Sequence, residues 1–144
     1  MIKQLTVFLE NSPGRLADLT RALGDAGVNM RAMMVADTAD FGVVRIICDR
    51  PDAAEAALEA AGFGVSVTEV IAVEVPDRPG GLADILEVLG SVGVNVEYAY
   101  CFVEPKGEAA IDVFRVEDTA RATAALDAAG MRVLRPDEVY ASGD

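Results

Sequence analysis

One stretch of this chain occurs twice. Pro13-Gly14-Arg15-Leu16-Ala17-Asp18 returns as Pro79-Gly80-Gly81-Leu82-Ala83-Asp84, an offset of 66 residues (79 minus 13). The same offset carries Leu23, Gly24, Gly27, Val28 and Asn29 onto Leu89, Gly90, Gly93, Val94 and Asn95. Ala-Ala-Leu-Glu-Ala-Ala-Gly at 56–62 returns as Ala-Ala-Leu-Asp-Ala-Ala-Gly at 124–130, now offset by 68 (124 minus 56). A duplicated unit of roughly 70 residues constrains the architecture more than any other property of the chain. It divides the sequence into domains at 1–69 and 70–144. Each would have a thin core, which favours mutual support and a homodimer.

Hydrophobic spacing gives the elements of each copy. Residues 2–9 alternate, with a stronger apolar set at Leu5, Val7 and Leu9, and read as a strand. The turn Asn11-Ser12-Pro13-Gly14 follows. Asn11 or Ser12 is placed to cap a helix, and Pro13 suits its first turn. Leu16, Leu19, Leu23 and Ala26 recur at helical spacing, and Gly27 ends the helix. Gly24 and its twin Gly90 sit inside last turns, which suggests close approach to a sheet. Asn29–Asp37 and Phe41–Asp49 read as strands joined by a hairpin at Asp40 and Gly42. A helix starts at Pro51-Asp52 and closes at Gly62, and a strand begins at Val65 and Val67. The second copy repeats this: strand 70–75, helix 79–92, strand 95–103, hairpin at Pro105-Lys106-Gly107, strand 110–116, helix 118–129 and a last strand near 131–134, with a frayed tail at 140–144.

The order in each copy is β-α-β-β-α-β. The fold class is therefore α+β: two ferredoxin-like βαββαβ units in tandem, antiparallel sheets with helices on one face. The run Val65–Val75 has neither Gly nor Pro, so one unit passes into the next without a linker, and the sheets are expected side by side. A four-stranded sheet leaves an edge and a helix-free face. Phe8 and the row Tyr98, Tyr100 and Phe102 are suited to fill that face in a dimer.

Composition narrows the function. The 144 residues are 52% hydrophobic, as a packed protein requires, and carry a formal charge of −12. That charge argues against nucleic acid and anionic membranes as partners. It also argues against reading the aromatic row as a base-stacking platform, although an RNA-recognition sheet shares this topology. No segment approaches the roughly 20 apolar residues of a membrane span. The first residues alternate like a strand and lack the apolar core of a signal peptide. Cys48 and Cys101 form no paired motif, in keeping with a reducing cytoplasm. There is no histidine, the commonest general base and metal ligand. Met30, Met33 and Met34 with the two cysteines read as core filler and not as a soft-metal site. No metal and no cofactor is expected. Glu117-Asp118 and Asp137-Glu138 read as solvated surface, with Asp118 placed to cap the helix after it.

The repeated turn is where chemistry would sit. It delivers a strand end into a helix N-terminus, whose first N–H groups lack internal partners and carry a partial positive charge. A carboxylate or phosphate suits such a place. Gly14, Gly80 and Gly81 remove side chains where a ligand would approach, and Asn29 and Asn95 offer both donor and acceptor. The same residues also serve as ordinary start and turn signals, and the residues alone leave both readings open.

Asp77-Arg78-Pro79-Gly80-Gly81-Leu82 followed by Gly93-Val94-Asn95-Val96 resembles the signature of ACT domains. Asn11-Ser12-Pro13-Gly14-Arg15-Leu16 with Gly27-Val28-Asn29-Met30 is similar and less typical at its first two positions. The resemblance covers almost the whole chain as two copies. It implies the ferredoxin-like fold and a regulatory role, with a free amino acid bound at a domain interface by the first strand-to-helix loop and the following strand. Carried over, it nominates Asn11, Ser12, Pro13, Gly14, Arg15 and Leu16 with Asn29 and Met30. In the second copy it nominates Asp77, Arg78, Pro79, Gly80, Gly81 and Leu82 with Asn95 and Val96. The amides at 14–16 or 80–82 would hold the carboxylate, and Asn11, Asp77 or Asn95 would take the ammonium. What this implies is a non-enzymatic amino-acid sensor. Two alternatives stand beside it: a regulatory subunit that acts on a metabolic enzyme by contact without its own ligand, and a small carboxylate-dependent enzyme.

Overall fold

The computed structural model describes residues 2–10, 12–37, 41–103 and 109–140. Asn11, Asp40, the turn at 105–107 and the tail beyond Tyr140 lie outside the described residues. Strand β1 (Ile2–Glu10) leads to helix α1 (Arg15–Asp25), then β2 (Met30–Asp37), β3 (Phe41–Cys48) and α2 (Pro51–Ala60). Strand β4 (Gly64–Pro76) is followed by α3 (Gly81–Ser91), β5 (Val96–Val103), β6 (Ala109–Val116), α4 (Thr119–Ala128) and α5 (Pro136–Tyr140). The two expected strands at 65–75 are one strand, as the lack of Gly and Pro there allows. The chain forms two compact units: an N-terminal unit of residues 3–68 with the end of α5, and a C-terminal unit of 69–138 with Ile2.

In the N-terminal unit β3 lies between β1 and β2, antiparallel to both, with Leu5 opposite Ile46 and Val7 opposite Val44. Alternation along these strands puts Leu5, Val7, Leu9, Val44 and Ile46 on one side. There they meet Leu19 and Leu23 of α1 and Ala54 and Leu58 of α2 in one apolar core. The C-terminal unit repeats this. β6 pairs with β4 and β5, and Ile71, Val73, Val75 and Phe114 pack with Ile85, Leu89, Ala122 and Leu126. Both units are the expected ferredoxin-like arrangement, antiparallel sheets with helices on one face. Pro51 opens α2, and Asp118 caps α4 by accepting from the Arg121 amide at 3.0 Å. Among the described residues no helix is long and apolar enough to cross a membrane.

Three local expectations change. The last strand at 131–134 is a single bridge, Val133 to Val73, flanked by Glu74 N–H donating to Arg132 O and Leu134 N–H to Ala72 O. Pro136 has no N–H to extend a ladder and instead opens α5, which the spacing did not reveal. Gly24 and Gly90 do not approach a sheet, since a Cβ built on either meets nothing within 4 Å. Alanine at each is therefore expected to stabilise the protein by about 0.5–1 kcal/mol, read by chemical denaturation, because it gains helix propensity without a clash. The helix-free side is also less open than expected. Gln4, Thr6 and Ile47 are buried there, as are Val70, Ala72 and Val113, while Phe8 is 56% exposed. The Gln4 amide donates to the Thr6 hydroxyl at 3.3 Å, the internal partner a buried amide needs.

Candidate functional site

Both strand-to-helix loops are exposed and built alike. Gly14 and Gly80 are the N-cap residues of α1 and α3, with φ of 87° and 84°. Those angles lie in the left-handed region that glycine adopts without strain. The helices start one residue later, so Pro13 and Pro79 belong to the turn and not to a first helical turn, and neither helix has a side-chain cap. A Cβ at Gly14 or Gly80 would meet nothing within 4 Å, so open space lies beside both.

The amides divide into used and available. Gly81 N–H donates to Arg78 O at 3.1 Å, and Arg15 N–H to Ser12 O at 3.4 Å. The amides at the start of each helix beyond these, Leu16 and Leu82 first, are those for which an α-helix has no internal acceptor. Gly81 differs from the other two glycines. It is buried, and a Cβ there would overlap Pro76 O and come within 3.4 Å of Val75 Cγ1. Its lack of a side chain serves packing against its own strand and not the approach of a ligand.

Each loop brings an arginine to the equivalent aspartate of its helix by a different route. Arg15, on α1, pairs with Asp18 at 3.3 Å and lies 4.7 Å from the Phe63 ring centroid. Arg78, in the second loop, pairs with Asp84 at 3.0 Å. Asp77, Pro79 and Ser12 are exposed beside them. These surface pairs contribute little stability, about 0–1 kcal/mol each, but they set a guanidinium beside each available helix start.

Asn29 and Asn95 lie elsewhere. Each follows the C-terminus of the helix whose N-terminus carries the loop, and an 11-residue helix is about 16 Å long. Within a unit, loop and asparagine are thus too far apart for one amino acid to touch both. Met30 and Val96 pack partly buried against the two cores, whereas Leu16 and Leu82 are 38% and 42% exposed.

The asparagine ends of the two units differ, and sequence reasoning missed this. In the N-terminal unit Asp49 accepts from Asn29 N–H at 3.0 Å. The Arg50 guanidinium donates to Ala26 O at 3.1 Å and to Gly27 O, closing the end of α1. In the C-terminal unit the residue at the N-cap corresponding to Arg50 is Asp118, turned into its own helix. A cleft of about 590 Å³ stands there, lined by Asn95, Glu97, Glu117 and Arg121 among others. The signal was available: the 68-residue offset sets Arg50 against Asp118, a charge reversal inside a matched repeat.

A family model described as an ACT domain pair matches residues 1–135. The chain is similar to the crystal structure of protein BT0572 from Bacteroides thetaiotaomicron, with 35% identity, 96% of this chain and 95% of that one covered, and a TM-score of 0.91. It shares its fold with the ligand-free regulatory subunit of aspartate kinase from Thermus thermophilus (21% identity, 90% and 91% covered, TM-score 0.66). The same holds for the regulatory subunit of aspartate kinase from Thermus flavus (19% identity, 90% and 92% covered, TM-score 0.63). No curated protein matches the chain.

Proposed function

The chain belongs to the ACT-domain family as a pair of such domains, and from that premise we propose that it is a cytoplasmic, non-catalytic regulatory protein that binds a free amino acid. The observation that carries this reading is the placement of loop and asparagine at opposite ends of one helix, beside an apolar sheet edge. In the N-terminal unit β2 is an edge strand on which Met33 and Val35 are 41% and 48% exposed, and Leu16 at the start of α1 is exposed as well. In the C-terminal unit β5 is an edge strand, and Leu82 and Leu86 of α3 are exposed. Exposed apolar edges are liabilities unless covered. A second copy placed antiparallel along such an edge, by a two-fold axis, reverses the helix direction. The loop of one copy then faces the asparagine of the other. An amino acid between them would set its carboxylate on the Leu16 or Leu82 end of the helix start and its ammonium toward Asn29 or Asn95. The homodimer and the ligand are thus one proposal. Regulation would follow if the ligand tightens that pairing and a metabolic enzyme reads the result.

Titration calorimetry of the chain against each of the twenty amino acids tests this, with Gly80→Asn as the probe of the loop. Asparagine tolerates the left-handed conformation and adds a side chain into open space. We expect one or a few amino acids to bind, and Gly80→Asn to weaken them at least 10-fold with the melting temperature little changed. No binding at millimolar concentration by any of them would favour regulation by protein contact alone, and turnover of a metabolite would favour an enzyme.

A further inference from the structure

We propose that a second cleft of the C-terminal unit, between α4 and the chain at 133–136, is a binding site for a small uncharged aromatic compound bearing a hydroxyl, a phenol. No residue of the repeated turns lines it, nor does Asn95. Its volume, about 530 Å³, is in the range of small-molecule sites. Ile2, Val70, Ile71 and Leu134 form its base, all four apolar and buried. Ala120, Thr123, Ala124 and Asp127 form one wall, at the spacing that shares a helix face. The opposite wall holds the sheet by a single bridge at Val133 before Pro136 opens α5.

The N-terminal unit shows what this place in the fold holds. The offsets of 66 and 68 set Lys3 against Glu69 and Asp52 against Ala120. At Lys3 and Asp52 stands the half-buried Tyr140. Its hydroxyl accepts from Lys3 N–H at 2.7 Å, and the charge of Asp52 acts on it. Val139 before it is buried. The N-terminal unit thus carries a phenol of its own, an apolar ring with one polar tip. The end of α5 belongs to that unit, and in the C-terminal unit the matching place, beside Ala120 and the two residues after Glu69, is the cleft.

The α4 wall differs from its twin in the direction an uncharged ring requires. At the 68-residue offset Asp52, Glu55 and Glu59 become Ala120, Thr123 and Asp127. Two of three carboxylates are gone, in a chain where Asp and Glu outnumber Lys and Arg by 24 to 12. A ring laid there desolvates less charge. Among the described residues no hydrogen bond or ion pair engages the Thr123 hydroxyl or the Asp127 carboxylate, so either can accept from a phenolic hydroxyl. The lining's cation, Arg135, is already paired with Asp137 at 3.2 Å and Glu138 at 3.7 Å, which disfavours a carboxylate ligand.

The probe is p-cresol, the tyrosine side chain as a free molecule, titrated into the full chain and followed by calorimetry and by amide NMR shifts. It has neither carboxylate nor ammonium, so this site and the amino-acid site proposed above can fail separately, and Gly80→Asn should leave it unchanged. We expect one p-cresol per chain with a dissociation constant of about 1 mM or tighter, within reach of a ligand of that size. The largest shifts should fall at Val70, Ile71, Ala124 and Leu134. Ala124→Phe, which fills the cleft from its exposed wall, should weaken binding about 10-fold or more. Ala128→Phe, the same change on α4 outside the lining, should weaken it less than about 3-fold. Tyr140→Ala, which vacates the matching place, should raise the number bound to two, with new shifts at Lys3. Both alanines replaced by Phe are exposed, so these variants are expected to fold, as a thermal melt would verify. No binding at several millimolar p-cresol overturns the site. So does equal loss in Ala124→Phe and Ala128→Phe, which would mean general adsorption to apolar surface. One p-cresol still bound by Tyr140→Ala overturns the assignment of a phenol to this place in the fold.

Discussion

Gly81→Ala is expected to destabilise the protein by about 3 kcal/mol, at the upper end of what overpacking a closed site costs. The added methyl would overlap Pro76 O and press on Pro76 C at 3.4 Å and Val75 Cγ1 at 3.4 Å. Pro76 is backbone at the end of β4, and Val75 is buried in the core under α3, so neither can step aside. The loop between them is also closed by Arg78 N–H to Pro76 O at 2.9 Å and Gly81 N–H to Arg78 O at 3.1 Å. The equivalent residue in the other unit is Arg15, which fits a looser turn with its amide 3.4 Å from Ser12 O. Gly80→Ala is the internal control. It meets no atom and costs only its left-handed backbone, about 1–2 kcal/mol. Urea denaturation of both variants checks the order. A Gly81→Ala protein as stable as Gly80→Ala would mean that the strand-to-helix junction yields.

Asp112→Val should stabilise the protein by about 2 kcal/mol at neutral pH, in the range seen when buried charge is replaced by a well-packed apolar group. Asp112 is 7% exposed on β6, between Val73 of β4 and Cys101 of β5. The N-terminal unit has Val44 at the matching place, in its core. Burial pushes the Asp112 carboxyl above the usual carboxylate range, opposed by the Cys101 thiol that donates to it. Burial, and then the Asp112 charge, raise the Cys101 thiol in turn. A carboxyl whose folded pKa exceeds its unfolded one favours unfolding while charged. That penalty is in full force above the folded pKa and fades as pH falls toward the unfolded value near 4. The gain from Asp112→Val is therefore expected to be largest at pH 7 and to shrink on acidification toward pH 4. Denaturation curves at several pH values measure it. A gain independent of pH would assign the effect to packing and not to charge.

Much of this protein was legible from residue spacing. Leu16, Leu19 and Leu23 announced α1, the alternation of Leu5, Val7 and Leu9 announced β1, and the unbroken run to Val75 announced a strand without a linker. These are local properties, because periodicity decides which face of an element is apolar before any partner is chosen. The loops were legible as loops for the same reason. Their internal roles were not. Gly14, Gly80 and Gly81 looked alike in sequence, yet two have open space beside them and the third is pressed against Pro76. Gly24 and Gly90 suggested close packing and face nothing.

By itself, the order of residues determined the duplication and the strands and helices of each copy within a few positions, the last strand and α5 excepted. All of these depend on propensities and periods carried by neighbours along the chain. Tertiary structure alone decided that Asn29 and Asn95 stand a helix length from their loops. It also decided that Arg50 plugs one helix end while Asp118 leaves its twin open, and that Asp112 takes the place of a core valine. Such outcomes depend on which atoms meet across tens of residues, and no local pattern records whether a space between elements has been filled.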